Sequence, residues 1–364
     1  MRLSDLFQMF GDAYLDRYRD TMPPSHLKAL SSILQCRTQV MGGRRYDCPQ
    51  CKTQQYAYHS CNNRHCPQCG GDKTEGWLKK QFDRLLPVPY FFATFTLPEA
   101  LRSIFRSHQK LCYTLFFEAS SQALREVAAN KRFVGGQIGF EGVLQTWTTT
   151  LFYHPHIHYI IPGVGLSQDH KKWIKIKSKK FLAHVDPLSL RFRTLFRKAL
   201  EKRHPELYSQ VPDAVWNQNW VLHCEQAGYG REVIQYLAPY IFRTAMTDQR
   251  QLTLHDDSMV SFTYKDNKTK ERKPCRLEAL DLIGRFLQHV LPRGFVKIRY
   301  FGIMGANQGH LLKQLKWLIL KSISQKEQAC FLAIVFKTRD KQMRCKCCGS
   351  PLVLSEILKP SRGP

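Results

Sequence analysis

Thirteen cysteines punctuate this 364-residue chain; six lie between Cys36 and Cys69, and three lie between Cys345 and Cys348. Cys48-Pro-Gln-Cys51 and Cys66-Pro-Gln-Cys69 are two C-x-x-C knuckles separated by fourteen residues. Each such turn aims two thiolates at one ion, and two turns complete a tetrahedral four-sulfur site. The spacing therefore assigns Cys48, Cys51, Cys66 and Cys69 to one structural Zn2+, with no position left open for a substrate. Gly70 suits the tight turn after the second pair. Cys36, Cys61, His65 and His26 could build a second zinc site, the alternative for the two histidines being a surface location. Clustered pairs of this kind suggest metal rather than disulfides in a reducing compartment. Cys112, Cys224, Cys275 and Cys330 are scattered and read as small buried residues. The Cys345-Lys-Cys347-Cys348 knuckle has no partner pair near it in sequence. It either meets distant residues such as Cys330 or His310 or stays metal-free.

Charge narrows the class of partner. Lys and Arg total 55 against 29 Asp and Glu, a formal charge of +26 spread along the chain. A globular chain this basic usually meets a polyanion, with nucleic acid the leading candidate. No apolar run of about 18 residues and no leader-like start is present, so a membrane role is not expected. The expectation is a cytoplasmic protein. Arg44, Arg45, Arg64 and Lys52 surround the knuckles as phosphate contacts would, or form an ordinary solvated basic face. The chain is long enough for two or three domains.

The remaining pattern interleaves strands and helices. Leu3 to Leu15 reads as an amphipathic helix, Lys73 to Leu86 as a helix leaving the cysteine module, and Tyr90 to Thr96 as a buried strand. Pro98 to Ala129 reads as a long helical stretch, Gly139 to Trp147 as a strand, and Ser189 to Arg203 as a basic helix. Trp173 to Lys177 alternates like an edge strand, with Lys175 and Lys177 on one face, where edge protection is the plainer reading. Together these give an α+β class around a mainly antiparallel sheet.

The chemistry-bearing strand is His154-Pro155-His156-Ile157-His158-Tyr159-Ile160-Ile161-Pro162. Side chains two apart share a face of a strand. His154, His156 and His158 then project together, while Tyr153, Ile157, Tyr159 and Ile161 point into apolar packing. Imidazoles grouped on one face of a core-like strand read as a metal site; for one His-x-His alone, satisfied edge histidines would be the better reading. Gly139 to Trp147 would pair with this strand as a hairpin. Further on, Tyr236 and Tyr240 stand one helical turn apart, so both hydroxyls could reach one site, although most such pairs are packing. Pro239 between them lacks an amide proton and disturbs the helix.

In this order, the knuckles, His154-Pro-His-Ile-His158 and the paired tyrosines resemble the rolling-circle transposases of the insertion-sequence ninety-one family, within the HUH endonuclease class. The resemblance spans roughly residues 36 to 301. It includes Ser60-Cys-Asn-Asn-Arg-His-Cys-Pro-Gln-Cys69, Phe95-Thr-Leu-Pro98, Val143-Leu-Gln-Thr-Trp147 and Arg285-Phe-Leu-Gln-His-Val-Leu-Pro292. It implies an HUH-type antiparallel sheet with flanking helices, preceded by a small zinc-ribbon-like domain. The implied division is an amino-terminal helix (1–20), a zinc-binding DNA-contacting domain (21–88), a nuclease domain (89–300) and a basic helical region with the last knuckle (301–364).

By the same resemblance, His156 and His158 hold a catalytic Mg2+ or Mn2+, with a third ligand among His154, Gln145, Gln235 and Glu225. Tyr236 and Tyr240 are the nucleophiles that nick and rejoin single-stranded DNA at element ends and target. Arg44, Arg45, Arg64, Lys175, Lys177 and Arg243 are the candidate DNA contacts. Relatives usually carry His at Gln145 and Arg at Pro239, and Thr247-Asp-Gln-Arg250 departs from their usual Ser-Asn-x-Arg. A glutamine carbonyl still suits a hard cation, and Pro239 bears more on Tyr240 than on Tyr236. Two other classes share parts of the pattern: an HUH replication initiator or relaxase, and a non-enzymatic zinc-ribbon DNA-binding regulator.

The charge of +26 predicts single-stranded DNA binding that weakens steeply with salt, because neutralised phosphates release counterions. A titration of affinity between about 50 and 200 mM salt checks this, and a flat profile contradicts the electrostatic reading.

Overall fold

The computed structural model describes residues 1–69, 80–176, 182–229, 244–266, 269–332 and 343–361, without the side chains of 329, 330 and 332. Its strands are β1 (Gly43–Asp47), β2 (Gln54–Tyr58), β3 (Pro89–Thr96), β4 (Gly139–Trp147), β5 (Tyr153–Pro162), β6 (Val164–Leu166), β7 (Trp173–Lys175), β8 (Leu222–Tyr229), β9 (Thr253–Leu254), β10 (Met259–Lys265), β11 (Arg272–Glu278), β12 (Ile298–Gly302) and β13 (Val353–Leu358). The central sheet has five antiparallel strands in the order β12-β4-β5-β3-β8. The α+β class expected from the sequence holds.

Alternation on β5 gives the sheet two different faces. The odd residues Ile157, Tyr159 and Ile161 are buried with Phe91, Phe95, Phe140 and Leu144 from the neighbouring strands. Two long helices, Gln109–Ala129 and Val185–Arg203, cover this face with Phe116, Phe117, Phe192 and Phe196. Phe95 sits at the centre, edge-on to Tyr159 at 5.4 Å and to Phe192 at 5.1 Å. The stretch expected as one helix from Pro98 to Ala129 is broken. Arg102–Ser107 and Gln109–Ala129 are separate helices, joined at His108 with φ −123° and ψ 46°.

The opposite face is half core and half cleft. At one end, Val143 and Ile160 pack beneath Leu311, Leu312, Leu315 and Ile319 of the Gly309–Ser322 helix. At the other end lie His154, His156 and His158. Gly142, opposite Tyr159, matters for this register: a Cβ there would come within 2.5 Å of the Tyr159 ring. The Tyr159 hydroxyl is in turn fixed to Ser120 Oγ at 2.6 Å.

The hairpin joining β4 and β5 is pinned at its tip. Leu151 adopts φ 65° and is fully buried. Its carbonyl accepts from Gln288 Nε2 at 2.7 Å and from His289 Nε2 at 3.1 Å, while the other His289 nitrogen meets Thr146 Oγ1 at 3.2 Å. Both partners follow the Ala279–Leu287 helix. That helix shares a core with Leu3, Leu6 and Phe7 of the Leu3–Tyr18 helix and with Leu30 and Ile33 of the Pro24–Gln35 helix. Residues near 280 complete the amino-terminal module, and β13 adds to the β1–β2 hairpin in a sheet of order β13-β1-β2.

Phe95→Ala would empty the centre of the core beneath the histidine strand. Large-to-small changes of this kind cost about 3–5 kcal/mol, so the urea midpoint should fall sharply with the denaturant slope unchanged. A shift equivalent to under about 1 kcal/mol contradicts this packing account.

Candidate metal centre and its cleft

The three histidines come together as the alternation requires. His156 and His158 have ring centroids 4.7 Å apart and nearly perpendicular, and His154 and His156 are 5.4 Å apart. The His156 Nδ1–H donates to the His154 carbonyl at 2.7 Å. That bond fixes the tautomer, so Nε2 keeps its lone pair. His158 Nδ1 shares a hydrogen bond with Thr94 Oγ1 at 2.9 Å, and its ring stacks on Phe92 at 4.8 Å. His154 differs: its Nδ1 accepts from Arg102 Nη2 at 3.0 Å. A guanidinium can only donate, so in the neutral ring Nε2 carries the proton and the lone pair is already spent. Burial lowers all three pKa values, His156 to about 4, with Arg102 adding to the shift at His154. Each is a neutral imidazole at physiological pH. The chemistry of the donors thus favours His156 and His158 as ligands over His154.

These rings line a cleft of about 680 Å³ with Thr94, Thr96, Gln145, Trp147, Met246, Thr247 and Arg250. Gln145 stands directly opposite His156 on β4 and is buried. Its amide oxygen is a hard donor suited, with imidazole, to Mg2+ or Mn2+. Glu225 lies on β8 opposite Phe92 and is exposed; the cleft lining does not include it. Arg250 donates to the Thr149 carbonyl at 3.0 Å, which holds its cation at the cleft wall. Arg250 ends the Thr247–Arg250 segment that the family resemblance marks, whereas Thr94 carries no sequence signal, because only the pairing of β3 with β5 places it here. Tyr236, Tyr240, Gln235 and Arg243 fall outside the described residues, as does Lys177.

The thiols group differently from the expectation. Cys36, Cys61, Cys66 and Cys69 place all four sulfurs within 4.8 Å of one another, with Cys36–Cys69 at 3.3 Å and Cys61–Cys69 at 3.6 Å. Tetrahedral zinc with bonds of about 2.3 Å separates its sulfurs by about 3.8 Å, so this group fits the ion. The thiols share protons at close range: the hydrogen bond with Cys66 is the main cause pulling Cys61 down to about 5, while burial pushes Cys36 up to about 12. Cys48 and Cys51 are not part of this group and lie beside Cys345 and Cys348. The reason is geometric. Cys48 and Cys51 sit at the tip of the β1–β2 hairpin, whereas Cys36 and Cys61 flank its base. A five-residue strand at about 3.3 Å per residue holds the two sets roughly 17 Å apart.

The histidines proposed for zinc take other roles. His65 Nε2 accepts from the Leu291 backbone N–H at 3.3 Å, and burial lowers its pKa to about 3. His26 borders a separate cleft with Tyr14, Tyr18 and Arg106.

Two of the arginines expected on DNA are occupied within the fold. Arg64 donates to the carbonyls of Phe295 at 2.6 Å and Pro292 at 3.1 Å. Arg45 pairs with Glu356 at 2.6 Å. Arg44 and Lys175 are exposed, with no ion pair among the described residues.

Comparison with known proteins gives the family. Residues 139–310, which carry the histidine strand, match the family described as "Putative transposase", and residues 6–97 match the "Transposase zinc-binding domain". The chain is 34% identical over 321 residues to "Putative transposase y4qJ" of Sinorhizobium fredii (strain NBRC 101917 / NGR234), covering 83% of this chain and 80% of that protein. The chain belongs to the insertion-sequence ninety-one family of transposases. The transposase is also similar to the "Transposase for insertion sequence element IS801" of Pseudomonas savastanoi pv. phaseolicola, at 27% identity over 296 residues, 76% of this chain and 70% of that protein. No solved structure matches it. Its amino-terminal module is a zinc-binding domain, and no described helix is long and apolar enough to cross a membrane.

For Arg64→Ala, loss of the hydrogen bonds to the Phe295 and Pro292 carbonyls and to His65 Nε2 should cost about 1.5–3 kcal/mol of stability in all, the exposed setting weakening each bond. The salt dependence of DNA affinity should keep its slope. A slope lowered by about one, with stability intact, would return Arg64 to the phosphate contacts.

Proposed function

We propose that this transposase nicks and rejoins single-stranded DNA through a 5′-phosphotyrosine intermediate during rolling-circle transposition, in the manner of HUH enzymes. The observation that carries the reading is the pair His156 and His158 on one face of β5. Hydrogen bonds orient both rings into a cleft that Gln145 completes from the adjacent strand. A divalent Mg2+ or Mn2+ bound there would supply Lewis-acid polarisation of the scissile phosphate.

The protein's own groups supply the rest. His156 and His158 donate imidazole nitrogen, and Gln145 can add a carbonyl oxygen. Arg250 brings a cation to the wall where phosphate would lie. Tyr236 and Tyr240 precede a segment, residues 245–250, that contributes Ala245, Met246, Thr247, Gln249 and Arg250 to the same cleft. In the proposed step the Tyr236 oxygen attacks phosphorus as its proton departs. The bond from phosphorus to the 3′ oxygen breaks, and that oxygen leaves as a 3′-hydroxyl. The phosphotyrosine conserves the bond energy, so rejoining needs no ATP. Tyr240 then acts in the second transfer. The +26 charge supports a nucleic-acid substrate.

The test is incubation with labelled single-stranded end DNA, with and without divalent metal. Wild-type protein should form a metal-dependent covalent adduct at a 5′ end. His156→Ala and His158→Ala should abolish it while sparing most nonspecific binding. Tyr236→Phe should eliminate first cleavage with little change in fold, and Tyr240→Phe should block only the completed transfer. Mass-spectrometric mapping of the adduct to neither tyrosine overturns the mechanism, and an adduct on Tyr240 alone reverses the order.

A further inference from the structure

The last cysteine knuckle is built as a copy of the first. Cys48 N–H donates to the Thr53 carbonyl at 3.0 Å, and Cys345 N–H donates to the Ser350 carbonyl at 2.8 Å; in each knuckle the acceptor lies five residues on. Four residues on, Lys52 N–H returns to the Cys48 carbonyl at 3.0 Å, and Gly349 N–H returns to the Cys345 carbonyl at 2.9 Å. Lys52 and Gly349 both take the left-handed conformation, with φ 59° and 76°. Each knuckle also aims a backbone N–H at its own first sulfur, Cys51 to Cys48 Sγ at 3.5 Å and Cys347 to Cys345 Sγ at 3.4 Å. Such donors stabilise sulfur in its charged, metal-binding form.

The two knuckles face each other. Cys48 and Cys348 sulfurs are 3.5 Å apart, Cys51 and Cys345 sulfurs are 3.5 Å apart, and all four lie within 4.8 Å of one another. Tetrahedral zinc requires about this spacing. Disulfides would need the paired sulfurs at about 2.05 Å and would not need all four to converge.

Packing supplies an independent reason for a metal. On β13, Val353 is 58% exposed and Ile357 is 68% exposed. Apolar burial therefore does little to hold this strand on β1. Among the described residues its attachments are polar: the antiparallel pairing with β1, the Arg45–Glu356 ion pair, hydrogen bonds between Arg45 and Ser355, a Gln55–Cys345 contact and a Ser350–Gln50 hydrogen bond. A unit this small generally needs a staple.

We propose that Cys48, Cys51, Cys345 and Cys348 bind a second zinc ion, completing one zinc ribbon from two segments of chain 300 residues apart. The site is separate from the Cys36, Cys61, Cys66 and Cys69 group and independent of the cleavage chemistry.

The experiment is metal analysis of the full chain, with X-ray absorption at the zinc edge. The two groups predict two zinc ions per wild-type chain, each with four sulfur ligands. One ion per chain, or nitrogen and oxygen in the average shell, overturns the proposal. The double variant Cys345→Ser, Cys348→Ser should retain one zinc and release segment 343–361 to limited proteolysis. Cys347→Ser, a thiol outside the group, should retain both ions. Two ions retained in the double variant, or loss in Cys347→Ser instead, overturns the assigned ligands.

Discussion

The candidate site depends on the register between β4 and β5. His156 stands opposite Gln145 and His158 opposite Val143. A strand slipped by one residue turns every side chain to the other face, which would bury the imidazoles among Phe95, Phe116 and Phe192. Two contacts far from the ligands hold the register. Gly142 leaves room for the Tyr159 ring on the buried face. At the hairpin tip, the Leu151 carbonyl is held by two donors from beyond the Ala279–Leu287 helix. Site geometry is thus set by packing behind the sheet and by an anchor at the turn.

The same anchor links the two parts of the molecule. Leu151 belongs to the core formed by Leu3, Phe7, Leu30 and Phe286. Cys66 and Cys69 belong to that core too, so the thiol group and the histidine strand rest on shared side chains. Arg64 adds a direct tie from the cysteine loop to residues 292 and 295. A change in the thiol group therefore has a short physical route to the cleft, through residues that touch neither ligand set.

Much of the fold was legible because its signals are local. The aromatic run of Tyr90–Thr96 and the glycine-bounded Gly139–Trp147 mark β3 and β4 nearly to their ends, and period-two alternation along β5 gives the face shared by His154, His156 and His158. Alternation could not rank the three imidazoles. The distinction between His154 and His156 comes from Arg102, fifty-two residues away from His154 in sequence. The cysteine assignment failed for a similar reason. Two C-x-x-C turns look like natural partners along the sequence, but the β1–β2 hairpin carries the first at its tip, away from the second. The partner of the first knuckle lay 294 residues further on, as the Cys51–Cys345 contact shows, beyond the reach of any local pattern.

The placement of β13 also orders events during synthesis. Strand β1 lies in the middle of its sheet, between β2 and β13. At about 5–20 residues per second, the 294 residues from Cys51 to Cys345 take about 15–60 s to emerge. Throughout that interval β1 pairs on one edge only, and an open edge invites pairing with other chains. The intervening five-stranded sheet can form while the β13-β1-β2 sheet is still incomplete. A nascent chain that stops before residue 343 leaves β1 permanently half-paired, so interrupted products differ from finished ones at a surface that only the finished chain covers.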